Sequence, residues 1–265
     1  MVKTTGFGLI QPRPSPKMDA IFDAIIEGFP YAYRNAQADQ YVLWGLIGNN
    51  YQMMKTFPKQ FTFCDMPYHG RLQNEDYENS YWRWAPRSFH YTDPINAPSD
   101  RFDNWNITLE PWRDEGDFIL ICPSSETMTK VINGMNQDRW IQTMYDKIKA
   151  HTNKPIRVRL KPRKNGKSGP SVEETSMREE LRGCHALVTN ASLTAIEALQ
   201  LGVPVFTDSS ECPSAWVSNM NFSKINTPDK KDREPLFYDL AYRQFSIKEF
   251  RDGTAYEIIS QQHYY

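Results

Sequence analysis

The run Leu187-Val-Thr-Asn-Ala-Ser-Leu-Thr-Ala-Ile-Glu-Ala-Leu-Gln-Leu-Gly-Val-Pro-Val-Phe206 constrains the fold more than any other stretch. Ala186 to Thr189 reads as a buried strand, and Ser192 to Leu201 as a helix with Gly202 as its C-terminal cap. Val203-Pro-Val-Phe206 is the next strand. Strand, helix and strand joined this tightly form a right-handed βαβ unit of a parallel sheet. The preceding segments repeat the alternation. Asp117 to Cys122 is an apolar strand stopped by Pro123-Ser124-Ser125, and Asp138 to Ala150 places Trp140, Ile141, Met144, Tyr145 and Ile148 at helical spacing. Ile156 to Leu160 alternates apolar and basic residues, as a strand with one buried face does, and runs into Lys161-Pro-Arg-Lys164.

The first half is harder to parse. Pro12, Pro14 and Pro16 break its start before a helix from Met18 to Gly28. Tyr41 to Ile47 reads as a strand, followed by a turn at Gly48-Asn49-Asn50 and a short helix through Met54. Phe61 to Cys64 is a second strand, which delivers Asp65-Met-Pro-Tyr-His-Gly-Arg71 at its carboxyl end, where open α/β sheets bind ligands. Near the other terminus, Glu234 to Phe250 has one continuous helical pattern.

The 265 residues, 40% hydrophobic and 24% charged, suffice for two cored domains and exclude a disordered chain. The expected architecture is α/β with two Rossmann-like domains around a deep cleft: a reduced domain over 1–114, a second over 115–235, and a terminal helix over 236–265 packing back on the first. A net charge of -1 means that any polyanion must be met by a local patch. No apolar run approaches the roughly 20 residues of a membrane span, and the start lacks a signal-peptide core, so a cytoplasmic location is expected. Cys64, Cys122, Cys184 and Cys212 are scattered without a CxxC pair, which favours reduced core thiols over zinc ligands.

The turn Thr189-Asn190-Ala191-Ser192 opens a helix whose first free N–H groups and dipole suit phosphate. Taken alone, Asn190 or Ser192 is equally an ordinary N-cap. Glu197, one to two turns on, is placed to accept hydrogen bonds from ribose hydroxyls, or is simply a solvated helix charge. With the ILICPSS and RLKPR segments, the run TNASLTAIEALQLGVPVF resembles the nucleotide-sugar domain of GT-B glycosyltransferases, over roughly Asp117 to Val217. The first 110 residues carry a weaker likeness to short, phage-type glycosyltransferase-like proteins that pair a YHGR motif with a Tyr/Trp-rich segment.

The resemblance implies a nucleotide-sugar donor and no other cofactor. The turn and Ser124 and Ser125 would meet the donor, Lys161 and Arg163 would offset a leaving diphosphate without a metal, and Glu197 would hold the ribose. Ser124 and Ser125 also have a purely turn-forming reading, and the basic run a solvated one. No DxD follows a strand, which argues against a metal-dependent enzyme. Inverting transfer needs a base, and Asp65 with His69, beside Arg71 as an anion contact, is the first-half candidate; a loop braced by Asp65 is the plainer reading. For the acceptor, Arg83, Trp84 and Arg87 in the Arg- and Trp-rich segment Tyr81 to Trp112 suggest double-stranded DNA, with a hydroxymethylated base of phage DNA extruded onto the aromatics inside the host cytoplasm. The same aromatics are equally core. A surface polysaccharide or glycolipid transferase and a non-catalytic nucleotide-binding module are the rival readings.

Overall fold

The structure is a computed structural model that describes residues 6–70, 79–90, 93–161 and 176–262. The chain forms two compact units, residues 1–105 with 237–265 and residues 106–236. In chain order the elements are β1 (Phe7–Ile10), α1 (Pro16–Gly28), β2 (Ala32–Arg34), β3 (Gln40–Trp44), α2 (Asn50–Thr56), β4 (Phe61–Asp65), β5 (Tyr81–Pro86) and α3 (Asp100–Asp103). Next come β6 (Phe118–Ile121), α4 (Glu126–Asn133), α5 (Gln137–Lys149), β7 (Ile156–Val158), α6 (Met177–Glu180), β8 (Cys184–Val188), α7 (Thr194–Gln200) and β9 (Val205–Phe206). The chain ends in α8 (Glu234–Ala241), β10 (Gln244–Ser246), α9 (Ile247–Arg251) and α10 (Thr254–Gln261).

The first unit is a sheet in the order β10-β5-β4-β3-β1-β2. Strands β2, β1, β3 and β4 are parallel, whereas β5 and β10 run antiparallel to their neighbours at one edge. Ser15 caps α1 by accepting from the Met18 amide, with Pro16 as its first residue, where no N–H is needed. Ile21, Phe22 and Ile25 of α1 then pack with Phe7, Trp84 and Phe250 in one core. Gly28 is required there, since a Cβ would lie 1.9 Å from the carbonyl of Phe250.

The second unit is an all-parallel sheet in the order β7-β6-β8-β9, with Ile119, Ile121, Trp140, Met144, Val188 and Phe206 in its core. Gly202 ends α7 at φ +69°, and a Cβ would meet the Pro111 carbonyl at 2.0 Å, so conformation and space both demand glycine. All four cysteines are buried free thiols, and desolvation pushes each thiol up in pKa. No helix among the described residues is long and apolar enough to cross a membrane.

Several local expectations need correction. The proline-rich start conceals β1, a fully paired strand between β2 and β3, because Phe7–Ile10 ends just before the first proline. The pattern from Glu234 to Phe250 is not one helix. Gln244–Ser246 extends to pair with β5, and Ser246 opens a new helix through a capping box with Glu249. The Arg/Trp alternation of 81–86 is a strand whose faces differ: Trp82 and Trp84 point into the core, while Arg83 faces the other side. Trp84 therefore offers no surface for stacking a base. Its ring lies among Phe7, Phe29 and Phe250, with centroids 6.1, 5.6 and 5.9 Å away. Trp84→Ala is expected to cost about 3–5 kcal/mol in chemical denaturation, as deletion of a buried aromatic does. A loss below about 1 kcal/mol would contradict this packing role.

Candidate functional site

In the second unit, the connection leaving β6 leads to β7 on one side, and the next crossover places β8 on the other. The topological switch point, where open α/β sheets bind ligands, therefore lies between the carboxyl ends of β6 and β8. The loops that meet there are Cys122–Ser125 and Thr189–Ser192.

Asn190 joins them. Its Oδ1 accepts from the amides of Ser124 at 2.9 Å and Ala191 at 3.0 Å. Its Nδ2 donates to Thr129 Oγ1 at 3.2 Å and Asn133 Oδ1 at 2.8 Å. The side chain is fully buried and its hydrogen-bonding capacity is spent inside the protein. This corrects the expectation that Asn190 contacts phosphate: the residue holds the two loops together instead. Thr189, also buried, accepts from the Ser192 amide at 3.3 Å and shapes the turn.

The other residues at these strand ends differ in exposure. Ser125 caps α4 by accepting from the Met128 amide at 3.3 Å, and its side chain is exposed. Ser124 is buried, with an Oγ that has no hydrogen-bond partner. Ser192 is half-buried and accepts from the Thr194 amide at 3.3 Å. Lys161 is exposed three residues beyond the end of β7 at Val158, and Arg163 lies outside the described residues. Arg159 pairs with Glu180 and also bears on Glu197. Glu197 is exposed in area yet crowded enough that desolvation raises its carboxyl pKa, partly offset by Arg159.

Sequence reasoning missed two contributors. Thr194 Oγ1 is buried without a partner at the first residue of α7, and a hydroxyl in the opening turn of a helix after a polar loop was the available signal. Asp208, just past β9, accepts from Trp140 Nε1 at 2.9 Å and Asn133 Nδ2 at 3.2 Å. Asn133 thus links Asp208 to Asn190, so one polar network ties the carboxyl ends of β6, β8 and β9. Its sequence signal was the polar Thr207-Asp208-Ser209 immediately after a strand.

In the first unit Asp65 ends β4. Its Oδ1 accepts from the Met66 amide at 2.8 Å and its Oδ2 faces Arg83 at 3.4 Å. Arg83 is almost wholly buried opposite Asp65 in the β4–β5 register, with Nη1 3.1 Å from His90 Nδ1 and its guanidinium over the rings of Phe63 and Tyr68. This corrects the reading of Arg83 as an acceptor contact: it is the buried counter-charge of Asp65. Arg87 is exposed in a turn at φ +59°, and its amide closes on the Phe61 carbonyl. His69 is half-buried, its ring stacked on Trp105 at 4.8 Å and 20°. Burial pushes its pKa below the ordinary histidine value, so the imidazole is neutral at pH 7. Arg71 lies outside the described residues. Asp65 and His69 thus face different partners. Among the described residues, no cluster of His, Cys, Asp or Glu is placed to hold a metal ion.

No protein-family model matches the chain, and no curated protein matches it in sequence. Solved structures do match in fold. KpsC of Thermosulfurimonas dismutans, described as a beta Kdo 2,7 transferase, superposes with a TM-score of 0.52 at 10% identity, over 97% of this chain and 99% of that one. A beta Kdo 2,4 transferase of KpsC from the same organism gives a TM-score of 0.53 at 9% identity, covering 92% of each chain. At such identity the likeness is one of fold: a Rossmann-like α/β architecture shared with glycosyltransferases.

Two outcomes follow from the site's chemistry. Asn190→Ala strands the buried Ser124 and Ala191 amides and should cost more than about 2 kcal/mol in denaturation, since each unsatisfied buried group costs about 1–3 kcal/mol. His69 and His185 both have folded pKa values lowered mainly by burial, and the Nε2 of His185 lies 3.0 Å from the Ile225 carbonyl. Below the unfolded histidine value, about 6.5, the unfolded chain binds more protons than the folded one. Their stabilisation is complete above that pH and is lost as the pH falls below it. Denaturation midpoints measured from pH 7.5 to 5 should decline, and His185→Gln should flatten the decline.

Proposed function

We propose that this chain is a GT-B type glycosyltransferase, with its second unit binding a nucleotide-sugar donor and its first unit supplying the base for the acceptor hydroxyl. The observation that carries this reading is the topological switch point of the second unit, where Asn190 braces the loops of Ser124, Ser125 and Ser192 and Glu197 stands on the helix that follows. The fold shared with two Kdo transferases supports it. In this reading Ser124, Ser125, Ser192, Thr194 and the opening turn of α7 meet the diphosphate, and Glu197 the ribose. Lys161 and Arg163 offset the charge of the leaving phosphate, which makes the reaction metal-independent.

Transfer then proceeds with inversion. The acceptor oxygen bonds to the anomeric carbon as the carbon–phosphate oxygen bond breaks, and the acceptor proton passes to a base. We assign that base to His69 rather than Asp65. The imidazole is neutral at pH 7, whereas both oxygens of Asp65 are engaged by Met66 and Arg83. For the acceptor, a surface saccharide or glycolipid is the better reading. The Arg83 and Trp84 side chains that carried the DNA reading are buried, and both structural neighbours are named as sugar transferases.

A thermal-shift screen of nucleotides and nucleotide sugars tests the donor site, because a ligand at 100 times its dissociation constant stabilises the fold by about 2.7 kcal/mol. The absence of any shift sinks the donor reading; a shift without transfer or donor hydrolysis leaves a nucleotide-binding module. Glu197→Ala should weaken nucleotide binding by about 1–3 kcal/mol in calorimetry. His69→Gln should lower transfer by about 100- to 10,000-fold with donor affinity kept, and Asp65→Asn should lower it far less. The reverse order of effects would return the base to Asp65.

A further inference from the structure

The loop that carries His69 leaves β4, and among the described residues no strand pairs its backbone. Its partner comes instead from a side chain 175 positions along the sequence. Gln244 of β10 is fully buried. Its Oε1 accepts from the amides of Tyr68 at 2.8 Å and His69 at 3.0 Å, and its Nε2 donates to the His69 carbonyl at 2.9 Å. The orientation of this amide follows from its partners: the atom met by two N–H groups must be oxygen, and the atom met by a carbonyl must be nitrogen. One side chain thus takes the N–H and serves the C=O of a single residue, as an adjacent strand would.

Gln244 is itself held firmly. Its backbone pairs opposite Arg83, the residue that faces Asp65, and its carbonyl accepts from Arg101 Nη2 at 3.1 Å. With the His69 backbone gripped, the imidazole plane is set by Trp105. That indole lies against Phe102, which packs on Phe237 and Tyr238 of α8. Both restraints on His69 therefore draw on the last thirty or so residues of the chain, on the order of one-tenth of a domain-sized protein.

We propose that Gln244 is a positioning residue for His69, fixing the backbone from which the imidazole reaches the acceptor proton. The inference rests on the reading of His69 as the base. Glutamate at this position keeps the acceptor for two amides but, ionised, offers the His69 carbonyl no donor. Asparagine is one methylene too short to span the same two groups.

The test combines a readout that needs no substrate with one that does. Histidine ring resonances of the full chain are titrated by NMR, with His69 assigned through His69→Gln, in the native protein, Gln244→Ala and the isosteric Gln244→Glu. In both variants the His69 titration is expected to move toward the ordinary value near 6.5, more in Gln244→Ala, as the ring leaves its desolvated seat. Transfer from the nucleotide sugar identified by thermal shift is expected to lose about 100-fold in kcat, with the donor KM within twofold of native. A His69 titration unmoved in both variants overturns the positioning role, whatever happens to turnover. A shifted titration with native kcat upholds the grip of Gln244 and instead removes His69 from the chemistry.

Discussion

The second unit depends on one side-chain amide. Asn190 accepts the amides of Ser124 and Ala191 and donates to Thr129 and Asn133, so that loops from two parallel strands are fixed to each other and to α4. Parallel strands end in loops that the sheet itself does not order, because the ladder stops at the strand ends. A buried amide with all its bonds satisfied supplies that order, and it does so cheaply because no charge is desolvated. The loop residues Ser124, Ser125 and Ser192 inherit their positions from it.

The first unit solves the same problem with the same chemistry. Gln244 holds the loop after β4, and Asn50 donates to the carbonyls of Trp44 and Gly45 at the end of β3. Where a charge is buried, it is compensated. Arg83 lies between Asp65, His90 and two aromatic rings, and Arg101 spans the Glu249 carboxylate and two backbone carbonyls. Removing one partner of such a pair leaves an uncompensated ion, and Arg101 in addition ties α3 to the C-terminal segment.

This arrangement separates the groups that shape the site from those free to act on a ligand. Asn190, Thr189, Arg83 and Asp65 are committed to internal partners. Ser125, Lys161 and Glu197 remain at the surface, and His69 presents a neutral, half-buried imidazole. Polarity alone therefore does not separate the side chains spent on internal bonds from those left at the surface; the bonds already made do.

The sequence by itself determined the second unit's βαβ order, the strand-end placement of the Ser and Asn turns, Gly202 as a helix cap and the cysteines as buried thiols, because each of these is set by local periodicity or backbone conformation. It did not reveal β1, β5 or β10, which are short and gain their hydrogen bonds from strands distant in sequence. Nor did it distinguish Arg83 and Trp84 from a binding surface, since the alternation that lines a groove also lines a two-faced strand. That both faces of that strand are buried, and that the Asn190 side chain faces its own protein, was decided only by tertiary structure. Burial and hydrogen-bond satisfaction are properties of neighbours brought together by folding, and no residue carries them alone.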